Sequence, residues 1–379
     1  DEISTGICSI SYLSKIENNQ IVPNDFYVRE IMEKLDVDKD TREILKITFS
    51  SSLRDTNSRS TPSPGWQSGR PTTWSKHAYW IPNQFCEVNV LNSFKKAYKR
   101  VEKALDFNQQ FDYDVKLASS FDDLDENNIF LMNDSIENSK IPENSIDTII
   151  TDPPYGSNVQ YLELSHFWYP WNKDLYTNKP NFSIEAVANR KRDFKGSKSL
   201  LDYEDNLYRV FKKCHEVLKP GKYMVLTFNN KDIGAWLALM FSIFRAEFDF
   251  VNQGLFFQAG IKNYKQTAHT KYEGAPYGDF IYIFTKSVKK RKYKDGCDEE
   301  DAFIEELDRI FIKHVNKKKF DEKEDKNELI KEMILEVIPI IEVFVKTKLK
   351  NTRHNIYEKY KKNHLANIYS GKYGEKKRK

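Results

Sequence analysis

The sequence predicts an α/β fold, a sheet with helices on its faces, continued by a helical C-terminal stretch. Three observations predict it. Short runs rich in Ile, Val, Phe and Tyr (IFLMND, IDTIITD, YMVLTFN, DFVNQGLFF and GDFIYIF) have the length and composition of strands. Segments around Tyr203–Val217 and Ile233–Phe244 carry apolar residues at helical spacing and fall between those runs, the pattern of a sheet covered by helices. From about Asp298 the sequence is charged and helical, with no glycine until Gly371.

At 379 residues the chain is long for one compact domain, for which roughly 100–200 residues is usual. It reads as four stretches. Residues 1–40 hold two helical patterns. Ser9 or Ser11 is placed to cap a helix carrying Tyr12, Leu13 and Ile16, and after Pro23 a second amphipathic segment carries Ile31, Met32 and Leu35. The run SISYLSKIENNQIVP resembles the helix-turn-helix of Xre/Cro-type regulators, with the family's first helix missing, so sequence upstream of Asp1 is expected. The resemblance implies double-stranded DNA as a partner and a helix from Ser9 to Glu17 that presents Ser9, Ser11, Tyr12 and Lys15 to the major groove. An ordinary helical hairpin is the alternative.

Residues 41–105 read as a linker and accessory region. It holds a helix (REILKITFSSSL), a polar stretch from Asn57 to Thr73, an extended EVNV and a helix carrying Phe94, Tyr98 and Val101. Arg54, Arg59, Arg70 and Lys76 are interleaved with Trp66 and Trp74, and arginine pairs with phosphate while aromatics stack on bases. Arg59 and Arg70 are therefore candidate DNA contacts, against the plainer reading of a surface loop. Residues 106–286 form the α/β core and residues 287–379 the helical extension.

The balance of 60 basic against 56 acidic residues, a net charge of +4, does not by itself establish nucleic-acid binding. Two basic runs, Lys286 to Lys294 and the terminal GKYGEKKRK, read equally as phosphate contacts or solvated surface. The four cysteines are far apart, without the spacing of a metal site or disulfide framework, so no metal and a cytoplasmic setting are expected. The most apolar stretch, Leu329 to Val345, is interrupted by Lys331, Glu332, Glu336, Pro339 and Glu342 and reads as a packed helix; no membrane span is expected.

The strongest signal is SIDTIITDPPYGSNVQY. The apolar run Ile146–Ile150 ends at Thr151-Asp152-Pro153-Pro154-Tyr155-Gly156, and two prolines cannot continue a ladder, so they force a stiff exit loop where α/β enzymes place their sites. These residue types suit an exocyclic base amine. Its lone pair is delocalised into the ring, and it becomes a nucleophile only when oxygens accept its hydrogens. Asp152 offers a carboxylate, the Pro153 carbonyl is aimed by the following Pro154, and Tyr155 gives a flat face on which an extruded base can stack.

These four residues resemble the fourth motif of amino-group DNA methyltransferases, D/N/S-P-P-Y/F/W. The preceding Asn133-Asp134-Ser135 and Ile141-Pro142-Glu143-Asn144-Ser145 stand where those enzymes place similar residues. VLKPGKYMVLTFNN matches their next helix, turn and strand, with Lys219-Pro220-Gly221 as the turn. The likeness covers about Asn128 to Lys286, and YGSNVQYLELSHFWYPW is closest to adenine-specific methylases. It implies a Rossmann-like S-adenosylmethionine-dependent methyltransferase fold, with Asp152, Pro153, Pro154 and Tyr155 catalytic and Asp134, Asp152 and Tyr155 against the cofactor. Asp134 reads equally as a turn or cap residue. Glu163 and the aromatics Phe167, Trp168, Tyr169 and Trp171 wall the base pocket or simply pack a core, and His166 and His215 read as packed or surface histidines.

One part of the pattern is missing. The family's glycine-rich cofactor loop, DPFxGxG, has no counterpart among the 14 glycines. Either it lies in sequence not included here, or a second protein subunit supplies it and the enzyme is a heterodimer; the Xre-like start, standing where the missing half would be, favours the second. The expectation is a DNA methyltransferase acting on adenine N6 in a restriction-modification or phage-defence setting. The alternatives are an N4-cytosine enzyme, disfavoured because that branch more often begins its motif with serine, and a non-catalytic DNA-binding regulator with a relic methylase half.

Overall fold

The computed structural model describes residues 38–61, 81–111, 116–125, 128–173, 181–189, 196–230, 232–259, 278–288, 300–320, 326–348 and 353–360, with Ser9, Tyr12, Lys15, Glu30, Thr72 and Thr73. They divide into two compact units: Asp1–Val115 with Tyr161–Pro180, and Lys116–Gln160 with Asn181–Lys379.

The first unit is built on two helices, α1 (Lys39–Leu53) and α2 (Val90–Gln109). Each begins at a side-chain cap: the Asp38 carboxylate accepts from the Thr41 N–H at 3.0 Å, and the Asn89 carbonyl oxygen from the Asn92 N–H at 2.9 Å. That cap explains a difference from expectation, because EVNV reads as extended and Asn89 instead starts α2. Between the helices, β1 (Ser60–Thr61) and β2 (Thr72–Thr73) pair antiparallel. The unit also takes up α3 (Tyr161–Ser165) and the 3₁₀ turn Tyr169–Trp171. The Trp168 indole donates to the Ser50 carbonyl at 2.9 Å and Trp171 meets the Phe49 ring edge-on at 5.7 Å. The aromatic run thus packs on α1 through Trp168 and Trp171.

The second unit holds the sheet. A small parallel pair, β3 (Lys116–Leu117) and β4 (Asn128–Ile129), precedes it. Four strands then lie in the order β5–β6–β8–β7: β5 (Ile146–Thr151), β6 (Leu218–Phe228), β7 (Asp249–Ala259) and β8 (Gly278–Thr285). β5 and β6 are parallel; β8 runs antiparallel to both β6 and β7. IFLMND reads as a strand, yet only Asn128–Ile129 joins a ladder. Residues 130–134 have no strand beside them among the described residues. Lys219-Pro220-Gly221 reads as a turn and is a bulge inside β6, where the pairing jumps from Ile146–Leu218 to Thr148–Tyr223 and Gly221 takes φ +76°.

Helix α4 (Leu200–Val217) crosses between β5 and β6. Its capping box pairs Ser199 with Asp202, and Leu200, Tyr203, Leu207, Phe211 and Cys214 form its buried stripe. Helix α5 (Ile233–Arg245), capped by Asp232, is buried from Ile233 through Phe244, as an element covered on all sides must be. The other covering layer is C-terminal: α6 (Glu300–Phe320), α7 (Lys326–Lys348) with Pro339 inside, and α8 (His354–Tyr360). Phe303, Leu307, Phe311, Val337 and Ile341 belong to the same core as α5 and the sheet, and the Phe303 and Phe344 rings stack at 4.1 Å. No helix among the described residues is long and apolar enough to cross a membrane.

Candidate active site

The site begins where β5 ends. Asp152 is exposed, Pro153 is buried, and Pro154 and Tyr155 are half-buried. Fully buried Tyr203 of α4 donates its hydroxyl to the Pro154 carbonyl, which occupies that oxygen and ties the corner to the core. The Tyr155 ring meets Phe228, the last residue of β6, edge-on at 5.0 Å. Its carbonyl accepts from the Asn158 N–H at 3.0 Å and from the buried Asn230 amide at 3.1 Å, while the Asn230 carbonyl oxygen accepts from the Asp232 N–H that opens α5. The two proline-linked residues are therefore clamped from two elements, α4 and the β6–α5 connection.

Gly156 then takes φ +58°, and an added Cβ would lie 2.9 Å from the Ala235 side chain, so both the turn and the close approach of α5 require glycine. Beyond it, Gln160 donates to the Ala188 carbonyl at 3.3 Å and accepts from the Asn189 amide at 2.9 Å. Residues 152–160 are held as one piece of the second unit.

A second carboxylate shares this end of the sheet. β8 runs against β5 and β6, so its first residues stand beside their last ones, and Asp279 is there. Burial, and then the negative charge of Asp152, hold the Asp279 carboxyl above its ordinary range. Neither Tyr203, Asn230 nor Asp279 stood out in the sequence. The asparagine pair directly after YMVLTF was the one available signal, since a buried amide after a strand needs partners.

The other expected residues are dispersed. One oxygen of the exposed Asp134 carboxylate accepts from the Ser135 N–H at 2.6 Å and from the Asn138 side-chain amide at 2.9 Å, beside the 3₁₀ turn Ile136–Asn138. Ser9 is exposed and its hydroxyl and carbonyl accept from the Tyr12 N–H at 3.1 and 2.9 Å, a helix-start bond; Lys15 is exposed and helical. Arg59 is 3% exposed. The Asn57 side chain accepts from the Arg59 N–H and donates to Leu53 and Arg54, turning the chain back after α1, so this arginine sits inside its unit and not on the surface expected for a DNA contact. Ser11, Arg70, Lys76, Trp66 and Trp74 lie outside the described residues. Lys286, at the head of one basic run, donates to Asn144 and to the His215 carbonyl. His215 lies edge-on to Phe248 at 5.1 Å, and burial, then Lys286, lower its pKa.

The sequence family described as DNA methylase matches residues 146–378, from the first residue of β5 through the C-terminal helices. The chain belongs to that family. No curated protein matches the chain. Among solved structures, a selenomethionine form of a Thermus thermophilus protein assigned as a DNA modification methylase is 17% identical. The alignment covers 45% of this chain and 58% of that one, with a TM-score of 0.22. The same bacterial protein complexed with S-adenosyl-L-methionine aligns at 16% identity, again over 45% and 58%, with a TM-score of 0.22. This DNA methylase thus spans 58% of the length of those neighbours.

Proposed function

We propose that this DNA methylase is the catalytic half of a DNA methyltransferase that transfers a methyl group from S-adenosylmethionine to the exocyclic amine of a flipped base, adenine N6. The observation that carries the reading is the corner at the end of β5. Asp152 is exposed there, the Pro154 carbonyl is already engaged by Tyr203, and the Pro153 carbonyl is the neighbouring backbone acceptor. An adenine stacked on Tyr155 would direct its amine hydrogens to the Asp152 carboxylate and the Pro153 carbonyl. That placement draws the nitrogen out of conjugation and aims its lone pair. Asp152 needs to orient the amine only; the proton leaves to water after transfer.

S-adenosylmethionine supplies an electrophilic methyl on a sulfonium. The residues present match only the base side of its site. One oxygen of the Asp134 carboxylate is engaged in a local turn, and no strand among the described residues leads into a glycine-rich loop; a second protein subunit carrying that loop is part of the proposal. Ser9, Tyr12 and Lys15 with Ser11 remain the proposed groove contacts, and DNA the proposed substrate.

The test is methyl transfer from labelled S-adenosylmethionine to DNA. Asp152→Ala is expected to lower turnover by about 10²-fold or more, and Tyr155→Ala by roughly 5- to 150-fold, the equivalent of about 1–3 kcal/mol of lost stacking. Wild-type rates for both variants would refute the assignment. Mass analysis of digested product DNA reads the base directly, and N4-methylcytosine in place of N6-methyladenine would refute the adenine choice.

A further inference from the structure

The corner at the end of β5 offers two backbone acceptors in succession, the carbonyls of Pro153 and Pro154. Either type of oxygen can accept from a base amine, and nothing in the residue types separates them. Their surroundings do. The Pro154 carbonyl takes the Tyr203 hydroxyl, whereas no donor among the described residues meets the Pro153 carbonyl. The direction of one oxygen then limits that of the other. Pro153 precedes a proline, which keeps it extended, and the ring of Pro154 fixes rotation about its own N–Cα bond. The one soft rotation left between the two carbonyls is about the Cα–C bond of Pro154, and the Tyr203 hydrogen bond holds it.

The other ties at the corner are shared. Upstream, Thr151 is held by its pairing with Leu226, and downstream the Tyr155 carbonyl takes two donors, the Asn158 N–H and the Asn230 amide. Pro154 has Tyr203 alone among the described residues. Tyr203 is in turn firmly placed. It follows the capping box of Ser199 and Asp202 at the start of α4 and is fully buried. The next residue, Glu204, is also fully buried and is tied to Arg245 of α5 at 2.6 Å, to Arg353 at 2.7 Å and to the Tyr357 hydroxyl of α8. A hydroxyl anchored in this way sets the direction of the carbonyl it meets.

We propose that Tyr203 is a positioning residue for methyl transfer: its hydroxyl turns the Pro154 carbonyl towards α4 and so leaves the Pro153 carbonyl, with Asp152, to orient the base amine. Tyr203 acts through the backbone of the corner and touches neither the base nor the cofactor. Without the hydroxyl, the Pro154 carbonyl is released as a rival acceptor. The amine hydrogens are then shared among competing oxygens, and the nitrogen lone pair loses its single direction. Stacking on Tyr155 and the charge of Asp152 are untouched, so the loss falls on the rate of transfer and not on the binding of DNA. The inference rests on the methyltransferase reading of Asp152–Tyr155 for the amine, and on the hydrogen bond alone for the direction of the carbonyl.

The test compares the full chain with Tyr203→Phe and Tyr357→Phe. Each variant keeps its ring and removes one buried hydroxyl, from the corner in the first case and from Glu204 in the second. Crystal structures of the three proteins without DNA or cofactor read the backbone. The Pro154 carbonyl should turn away from position 203 in Tyr203→Phe and keep its direction in the other two. Steady-state methyl transfer to DNA by the complete enzyme reads the consequence. Tyr203→Phe should lower kcat by about 10- to 100-fold, the cost of a small misplacement of a reacting group. Its KM for DNA should stay within about twofold of the parent's, as expected when only the transition state is affected. Tyr357→Phe should keep the parent's kcat. A Pro154 carbonyl that holds its direction in Tyr203→Phe overturns the proposal, as does an unchanged kcat, a loss confined to KM, or an equal fall in kcat from Tyr357→Phe. A parent enzyme that transfers no methyl sinks the enzymatic reading and the role in transfer with it, while the crystals still decide whether the hydroxyl sets the corner.

Discussion

Asp152 and Asp279 reach one end of the sheet from strands of opposite direction, and they answer to different physics. Asp152 is exposed on a proline-locked corner, while Asp279 is half-buried at the start of β8 with its carboxyl held high by burial and by the charge of Asp152. A carboxyl whose folded pKa is raised contributes stability that is fully present below its unfolded pKa and lost as pH rises through the folded value. Asp279→Asn removes that titration. The variant should therefore gain stability relative to the parent at pH 7, with the difference fading below about pH 4, where the parent carboxyl is protonated in both states. Denaturant midpoints at the two pH values check this, and an equal gap at both would mean that the charge at 279 costs the fold nothing. The motif Asp152–Tyr155 was readable because two prolines after an apolar run permit few conformations. Asp279 was not readable, because its place beside Asp152 depends on strand direction and on a register that local sequence does not encode.

At the scale of elements, the last helix is tied to the core by charge. Glu204 of α4 is fully buried and meets Arg245 of α5 at 2.6 Å and Arg353, just before α8, at 2.7 Å, and it accepts the Tyr357 hydroxyl of α8. Arg245 also pairs with Asp205 at 2.6 Å and lies 4.2 Å over the Tyr208 ring. Burial and the neighbouring Glu204 hold the Tyr357 hydroxyl well above its ordinary range, so it stays a donor. Glu204→Ala would leave two largely buried guanidinium groups without their shared carboxylate, a change that typically costs about 3–5 kcal/mol. Urea unfolding should show a correspondingly lower midpoint, and loss of protection in α8 by hydrogen exchange should precede global unfolding. An unchanged midpoint would show the cluster to be energetically neutral. The helical period of α6 and α7 was plain in the sequence, but nothing in it showed that they share one core with α5 instead of trailing from it. That follows from α5 being apolar all round, which demands cover on the side away from the sheet.

For the whole molecule, the sheet face that leaves Ile150 exposed makes a prediction about behaviour in solution. The isolated chain should bind a hydrophobic dye and associate at high concentration, because contiguous apolar surface of this kind is rarely left to water. Ile150→Arg should reduce both without moving the thermal midpoint, since a residue 79% exposed contributes little burial to the folded chain. Light scattering and dye fluorescence read the effect, and a lowered midpoint would mean that Ile150 already has a structural role. By itself the sequence determined the α/β class, the positions of the main strands and helices and the proline-locked corner, since each is a matter of local composition, spacing or stiffness. Only the tertiary structure decided that the aromatic run after the motif packs on α1, that Arg59 is enclosed, that Tyr203 and Asn230 brace the corner, and that β5 is an edge strand among the described residues. Those facts depend on which distant residues become neighbours, and the free energy that selects neighbours comes from burial and pairing across the sheet, not from the preferences of any one segment.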